Sequence, residues 1–187
     1  MLAHYVPQRF DCADLVRLFN DTFLGAYNTR LVSGGDEPLY SPADGLQPAT
    51  IVFAHDYFSS GLHEIAHWLI AGEHRRLQQD YGYWYCPDGR DALQQAAFEQ
   101  VEIAPQALEW ILTKACGRAF RLSLDNLTGD VGDVRPFAEA VYRRVLMYVK
   151  QGLSVRADAM RQALVGFYST HLELKAHDFT IEEIYRP

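Results

Sequence analysis

The 187-residue chain is 49% hydrophobic, which suits one globular domain, residues 1–187, with a sizeable core. Its net charge of −7 argues against general nucleic-acid binding, which needs a basic surface, and leaves a locally basic protein partner open. Cys12, Cys86 and Cys116 are odd in number, widely spaced and without a CxxC pair, which argues against a zinc ribbon or a disulfide framework and points to reduced cytoplasmic thiols. No apolar run approaches membrane-spanning length, and Met1 to Tyr5 carry no signal-peptide pattern.

In chain order, Leu15, Leu18, Phe19 and Phe23 recur at helical spacing after a plausible cap at Asp11, predicting a helix over 12–27. Residues 29–33, 38–40 and 50–54 are short apolar stretches separated by Gly, Pro and Asp, and read as strands of a small sheet. Phe58 to Ala71 is an apolar helical run that Gly72 would end, followed by a short basic helix over 73–79. Tyr81 to Asp91 holds four aromatics in five positions and reads as a loop, either closing the core or walling a cleft. Helices are expected over 92–103 and 105–116, with Pro105 marking a kink or break. Two further amphipathic helices, 134–150 and 155–171, read as scaffold. The expected fold is therefore α+β, a mostly helical single domain with a small β-sheet.

The sequence His63-Glu64-Ile65-Ala66-His67 lies within the apolar helix, so the fold places an HExxH motif on a core helix. Histidines at i and i+4 project from one face about one turn apart, where two imidazoles can bind one metal ion. Their neighbours Leu62, Ile65, Ala66, Trp68, Leu69 and Ile70 are apolar, so two histidines and a glutamate would be desolvated at a cost unless partnered. A metal ion supplies that partner. Glu64 lies about 100° around the helix from His63, so it flanks the metal. In zinc peptidases such a glutamate polarises bound water, and in an iron enzyme it would orient water or oxygen.

Two histidines leave a metal underliganded, and a carboxylate from a neighbouring helix is the usual third donor. Glu99 and Glu102 share a face of the 92–103 helix. Glu102 is chosen as the ligand and Glu99 is the alternate, the other carboxylate orienting a histidine from behind. Glu109, one turn past the proline, ranks below both. The alternative is a solvent-facing polar stripe. His55 and Asp56 precede the motif helix and could line the site, whereas His4, His74, His171 and His177 have no motif around them.

Several segments occurring in one order carry a wider resemblance. They are Asn28-Thr29-Arg30-Leu31, Asp36-Glu37-Pro38-Leu39-Tyr40, Ile51 to His55, His63 to Trp68, Tyr81 to Asp91, Phe98 to Glu102, and Pro105 to Leu108. Over residues 12–130 the chain resembles the bacterial elongation factor P hydroxylases. The resemblance implies a non-haem, iron-dependent hydroxylase of monooxygenase type. Its substrate would be the β-lysylated lysine of elongation factor P, modified in the final step of that pathway. It also implies a two-histidine, one-carboxylate site, which maps to His63, His67 and a glutamate of 98–102. Hydroxylating an unactivated C–H bond needs a redox metal and oxygen, so Fe(II), or another divalent metal in that site, is the expected cofactor.

A long cationic side chain calls for aromatic walls and carboxylates. Tyr83, Tyr85 and Asp88 are the expected substrate-binding residues, with Tyr81, Trp84, Asp91 and Asp56 as further candidates. No organic cofactor is expected, and elongation factor P is the expected partner, with neither nucleic acid nor membrane. The main alternative from the motif alone is a zinc-dependent peptidase or amide hydrolase. A module with a structural zinc would need a fourth protein ligand, for which no cysteine or histidine stands in register.

Overall fold

A computed structural model describes residues 10–82, 89–125 and 133–185. Helix α1, Cys12–Tyr27, begins where the Asp11 carboxylate accepts the Ala13 amide at 2.8 Å, and it ends at Asn28 in a left-handed conformation. Leu15, Phe19 and Phe23, spaced four apart, are its buried stripe.

Three strands follow: β1 (Thr29–Gly35), β2 (Leu39–Ser41) and β3 (Ala49–Ala54). β3 is central, parallel to β1 and antiparallel to β2, so Ile51 pairs with Leu31 on one side and Tyr40 on the other. Ala49, Ile51 and Phe53 point into the core and alternate with less buried residues, as period-two patterning requires. The β1 register slips between Val32 and Gly35. A Cβ at Gly35 would stand 2.6 Å from Val52 Cγ1, so the irregularity is built on a residue without a side chain.

The chain leaves β3 through His55 and Asp56, both left-handed, and enters α2, Phe58–Ile70. Leu62, Ile65, Ala66, Trp68 and Leu69 are buried along it. At Gly61 the approach of α1 is so close that a Cβ would lie 2.7 Å from Leu15 Cδ2. Gly72 does not end this helix. The chain turns extended at Ala71, and the terminal carbonyls are satisfied from a distance. Arg156 donates to Trp68, Leu69 and Ala71 carbonyls at 2.8–3.1 Å, and Arg76 donates to that of Ala71 at 2.7 Å. The basic helix expected over 73–79 is reduced to a 3-10 turn at Arg75–Leu77.

Helix α3, Ala92–Ala115, opens with a capping box in which Asp91 and Gln94 satisfy each other's backbone amides. It runs through Pro105 without ending, contrary to the expected break. A mid-helix proline removes one hydrogen bond and crowds the preceding turn. Here burial of Gln106, Leu108, Trp110, Ile111 and Leu112 on the following turns outweighs that cost. Helices α4 (Arg135–Gln151) and α5 (Val155–Tyr168) match the two amphipathic segments, α5 stopping at a left-handed Ser169.

α3 is a wall between two apolar clusters. Leu108, Leu112 and Ala115 pack with α1, the sheet, α2 and α5. Ala107, Trp110 and Ile111 pack with α4 and with Phe179 and Ile184 from the C-terminal turns. The result is a mostly helical α+β architecture with one three-stranded sheet. Among the described residues no helix is long and apolar enough to cross a membrane.

Candidate metal centre

α2 and α3 pack face to face and bring His63, His67 and Glu102 together. One donor atom from each lies within 4.8 Å of the others. The Nε2 atoms of the two histidines are 3.1 Å apart. Glu102 presents Oε2 at 3.4 Å from His63 Nε2 and Oε1 at 3.2 Å from His67 Nε2. Glu102 is 1% exposed, and its Oε1 is fully buried with no donor in hydrogen-bonding geometry among the described residues. Three electron-rich donors converging on one point, one of them an orphaned buried carboxylate oxygen, fit a divalent cation.

The surroundings fix each donor. Glu109, about two α3 turns beyond Glu102 and 7% exposed, places Oε2 2.9 Å from His63 Nδ1. That contact leaves His63 Nε2 free to face the other donors. Gln106 donates to Glu102 Oε2 at 3.5 Å and is itself held by both backbone groups of Ser123, at 2.7 and 3.0 Å. The carboxylate in contact with His63 Nδ1 is thus Glu109, which the sequence reading ranks last, and not Glu99. Glu99 instead accepts from the Gln95 side chain at 3.2 Å, outside the three-residue group. The signal for Glu109 was its seven-residue spacing from Glu102, two helical turns that a continuous α3 keeps on one face and a break at Pro105 would not.

The electrostatics follow from crowding of charge. Burial disfavours the imidazolium of His63, but Glu102, Glu109 and Glu64 outweigh it and hold its pKa up to about 10. Burial likewise opposes ionisation of Glu102, yet His67 and His63 bring its pKa down to about 2. Glu64 is raised above the usual carboxylate range, because desolvation exceeds the pull of the two histidines.

The group opens into a cavity of about 970 Å³, whose lining includes Glu64, His55, Phe98, Arg118, Asp36 and Glu37. Tyr81 closes one side. Its ring lies parallel to Tyr40 at 4.3 Å and to His67 at 6.3 Å between centroids. Backbone conformation aims it, since Asp80, Tyr81 and Gly82 are all left-handed and the Asp80 carboxylate accepts the Tyr40 amide at 2.8 Å.

Tyr83, Trp84, Tyr85 and Asp88 lie outside the described residues. Asp91 caps α3, and Asp56 is exposed, its carbonyl accepting from the Cys12 thiol. Arg90, which the sequence reading passed over, is 1% exposed, donates to Gln95 Oε1 at 3.1 Å and stacks on Phe98 at 3.8 Å. It anchors the start of α3 beside the cavity, and nothing in its local sequence distinguishes it from a surface arginine.

Comparison with known proteins adds the chemistry. A protein of Haemophilus influenzae described as "Elongation factor P lysine hydroxylase" is 52% identical over 169 residues, covering 90% of this chain and 95% of that one. The family described as "Elongation factor P hydroxylase" matches residues 18–179, a span that includes both helices of the candidate centre. The chain belongs to the elongation factor P hydroxylase family.

Proposed function

We propose that this chain, acting as a single domain, is a cytoplasmic iron-dependent hydroxylase of monooxygenase type. Its substrate is the β-lysylated lysine of elongation factor P, and the reaction completes that modification. The observation that carries the reading is the convergence of His63, His67 and Glu102 at a cavity wide enough for a long side chain, in a member of this family.

Fe(II) held by those three side chains would supply the oxygen activation that attack on an unactivated C–H bond requires. The chain's own residues do the rest. His63 and His67 offer Nε2, Glu109 keeps His63 oriented through Nδ1, and Gln106 restrains Glu102. Glu64 borders the cavity next to the donors, and its raised pKa suits a group that holds or passes a proton. Tyr81 stands parallel to His67 in the cavity wall. Asp36 and Glu37 at the cavity favour a cationic side chain, and Tyr83, Tyr85 and Asp88 are proposed on sequence grounds to contact it.

Incubating the protein with β-lysylated elongation factor P, Fe(II), a reductant and oxygen is expected to add about 16 Da, one oxygen atom, to the modified peptide without cleavage. Peptide cleavage with zinc under argon, and no mass gain with iron, would establish the hydrolase instead.

A further inference from the structure

Behind the candidate centre lies a second cavity of about 490 Å³. His67 and Tyr81 line both cavities, so the partition between them is formed by these two side chains. The exposed residues Gly72, Glu73, His74 and Arg75 are part of the smaller cavity's lining. Buried Ala71 and Pro105 and half-buried Val101 and Ala104 also line it, together with Arg144 and Tyr148.

We propose that the smaller cavity is the entry route for dioxygen, reaching the His63–His67–Glu102 centre from the far side of His67. This rests on the oxygen-dependent reading above. A hydroxylase acting on a protein side chain has an access problem. On that reading the substrate's long chain enters the larger cavity and obstructs the wide approach. A small apolar molecule then needs another path, and the smaller cavity, whose surface is more apolar than polar although Glu73, Arg75 and Arg144 also line it, favours its partition from water.

Three features of the chain make that path. Pro105 has no N–H, so the Val101 carbonyl one turn earlier lacks its usual helical donor, and both residues line the cavity. Ala104 beside them is the smallest chiral side chain, leaving space on this face of α3. On the opposite wall the Tyr81 hydroxyl is buried and has no hydrogen-bond partner among the described residues. The ring is held by stacking on Tyr40 but is not tied at its far end. A displacement of this untied ring is the opening through which a diatomic molecule would pass.

Nitric oxide serves as the probe, a diatomic that binds Fe(II) with a colour change. Its binding rate is measured by stopped flow on the Fe(II)-loaded full chain, with and without saturating β-lysylated elongation factor P. Ala104→Phe fills the smaller cavity, and Ala104→Leu fills it in part should the larger residue disturb folding. With substrate bound, the rate is expected to fall about tenfold in Ala104→Phe and less in Ala104→Leu, at unchanged iron content. Without substrate both variants should match the wild type, because the larger cavity stays open.

Equal rates in wild type and variants with substrate bound would overturn the route while leaving the hydroxylase reading intact. An equal loss with and without substrate would also overturn it, as a general disturbance of α3. Failure of the wild type itself to bind nitric oxide would overturn the iron reading, and the route with it.

Discussion

At the scale of single residues, His63 is the point where several charges meet. In the metal-free protein its pKa is held up to about 10, against an ordinary value of 6.5. That shift contributes stability that is full below pH 6.5 and is lost as pH rises through 10. Glu102 has the opposite sign. Its pKa is brought from 4.5 down to about 2, so its contribution is present above pH 4.5 and lost as pH falls through 2. Metal-free protein should therefore be most stable between these limits, and a metal must displace the His63 proton to bind. Replacing Glu109 with Gln keeps a hydrogen-bonding side chain but removes one charge beside His63. Denaturant titrations of chelator-treated protein across pH should show the alkaline loss of stability shifted to lower pH in Glu109→Gln. An unchanged alkaline limb would mean that Glu109 does not hold the His63 proton.

At the scale of elements, α2 positions both histidines yet has no terminal glycine in a left-handed cap. Its last carbonyls depend on Arg156, which also stacks over Trp68 at 4.6 Å. Replacement of Arg156 with Met keeps most of the apolar stem and removes three charged hydrogen bonds. A loss of about 1–3 kcal/mol is expected from urea unfolding, with fraying beginning at the His67 end. If hydrogen exchange at residues 67–70 is unaffected, the arginine is not the effective cap. The same logic explains the C-terminal third of the chain. α5 contributes no donor atom to the centre, but its arginine ends the helix that does.

At the scale of the whole molecule, the proposed metal binding would be linked to folding, because the three donors come from two helices far apart in sequence. The histidine-bearing helix and Glu102 are assembled only when α2 and α3 pack. Fe(II) at about 100 times its dissociation constant should stabilise the fold by about 2.7 kcal/mol. For a chain of this size that is a rise in Tm of about 5–10 °C. Anaerobic thermal melts should show the rise in wild type and not in His63→Ala. A rise of the same size in that variant would place the ion elsewhere.

The sequence determined what depends on local spacing. The i, i+4 histidines required only that one helix form, and apolar periodicity predicted that helix along with α1, α4 and α5. Alternation and turn residues likewise marked three short strands. The sequence also narrowed the third donor to Glu99 or Glu102, since both fall on one face of one segment. Tertiary structure decided what depends on cooperation between distant parts. Local chemistry says that Pro105 should interrupt a helix, but burial of the next two turns keeps α3 continuous. That continuity puts Glu109 on the same face as Glu102 and against His63. Gly72 looked like a helix terminator, but arginines from other segments satisfy the end of α2 first. Packing of α2 on α3 is what brings Glu102 to the histidines and leaves Glu99 bonded to Gln95, a choice no residue spacing could make.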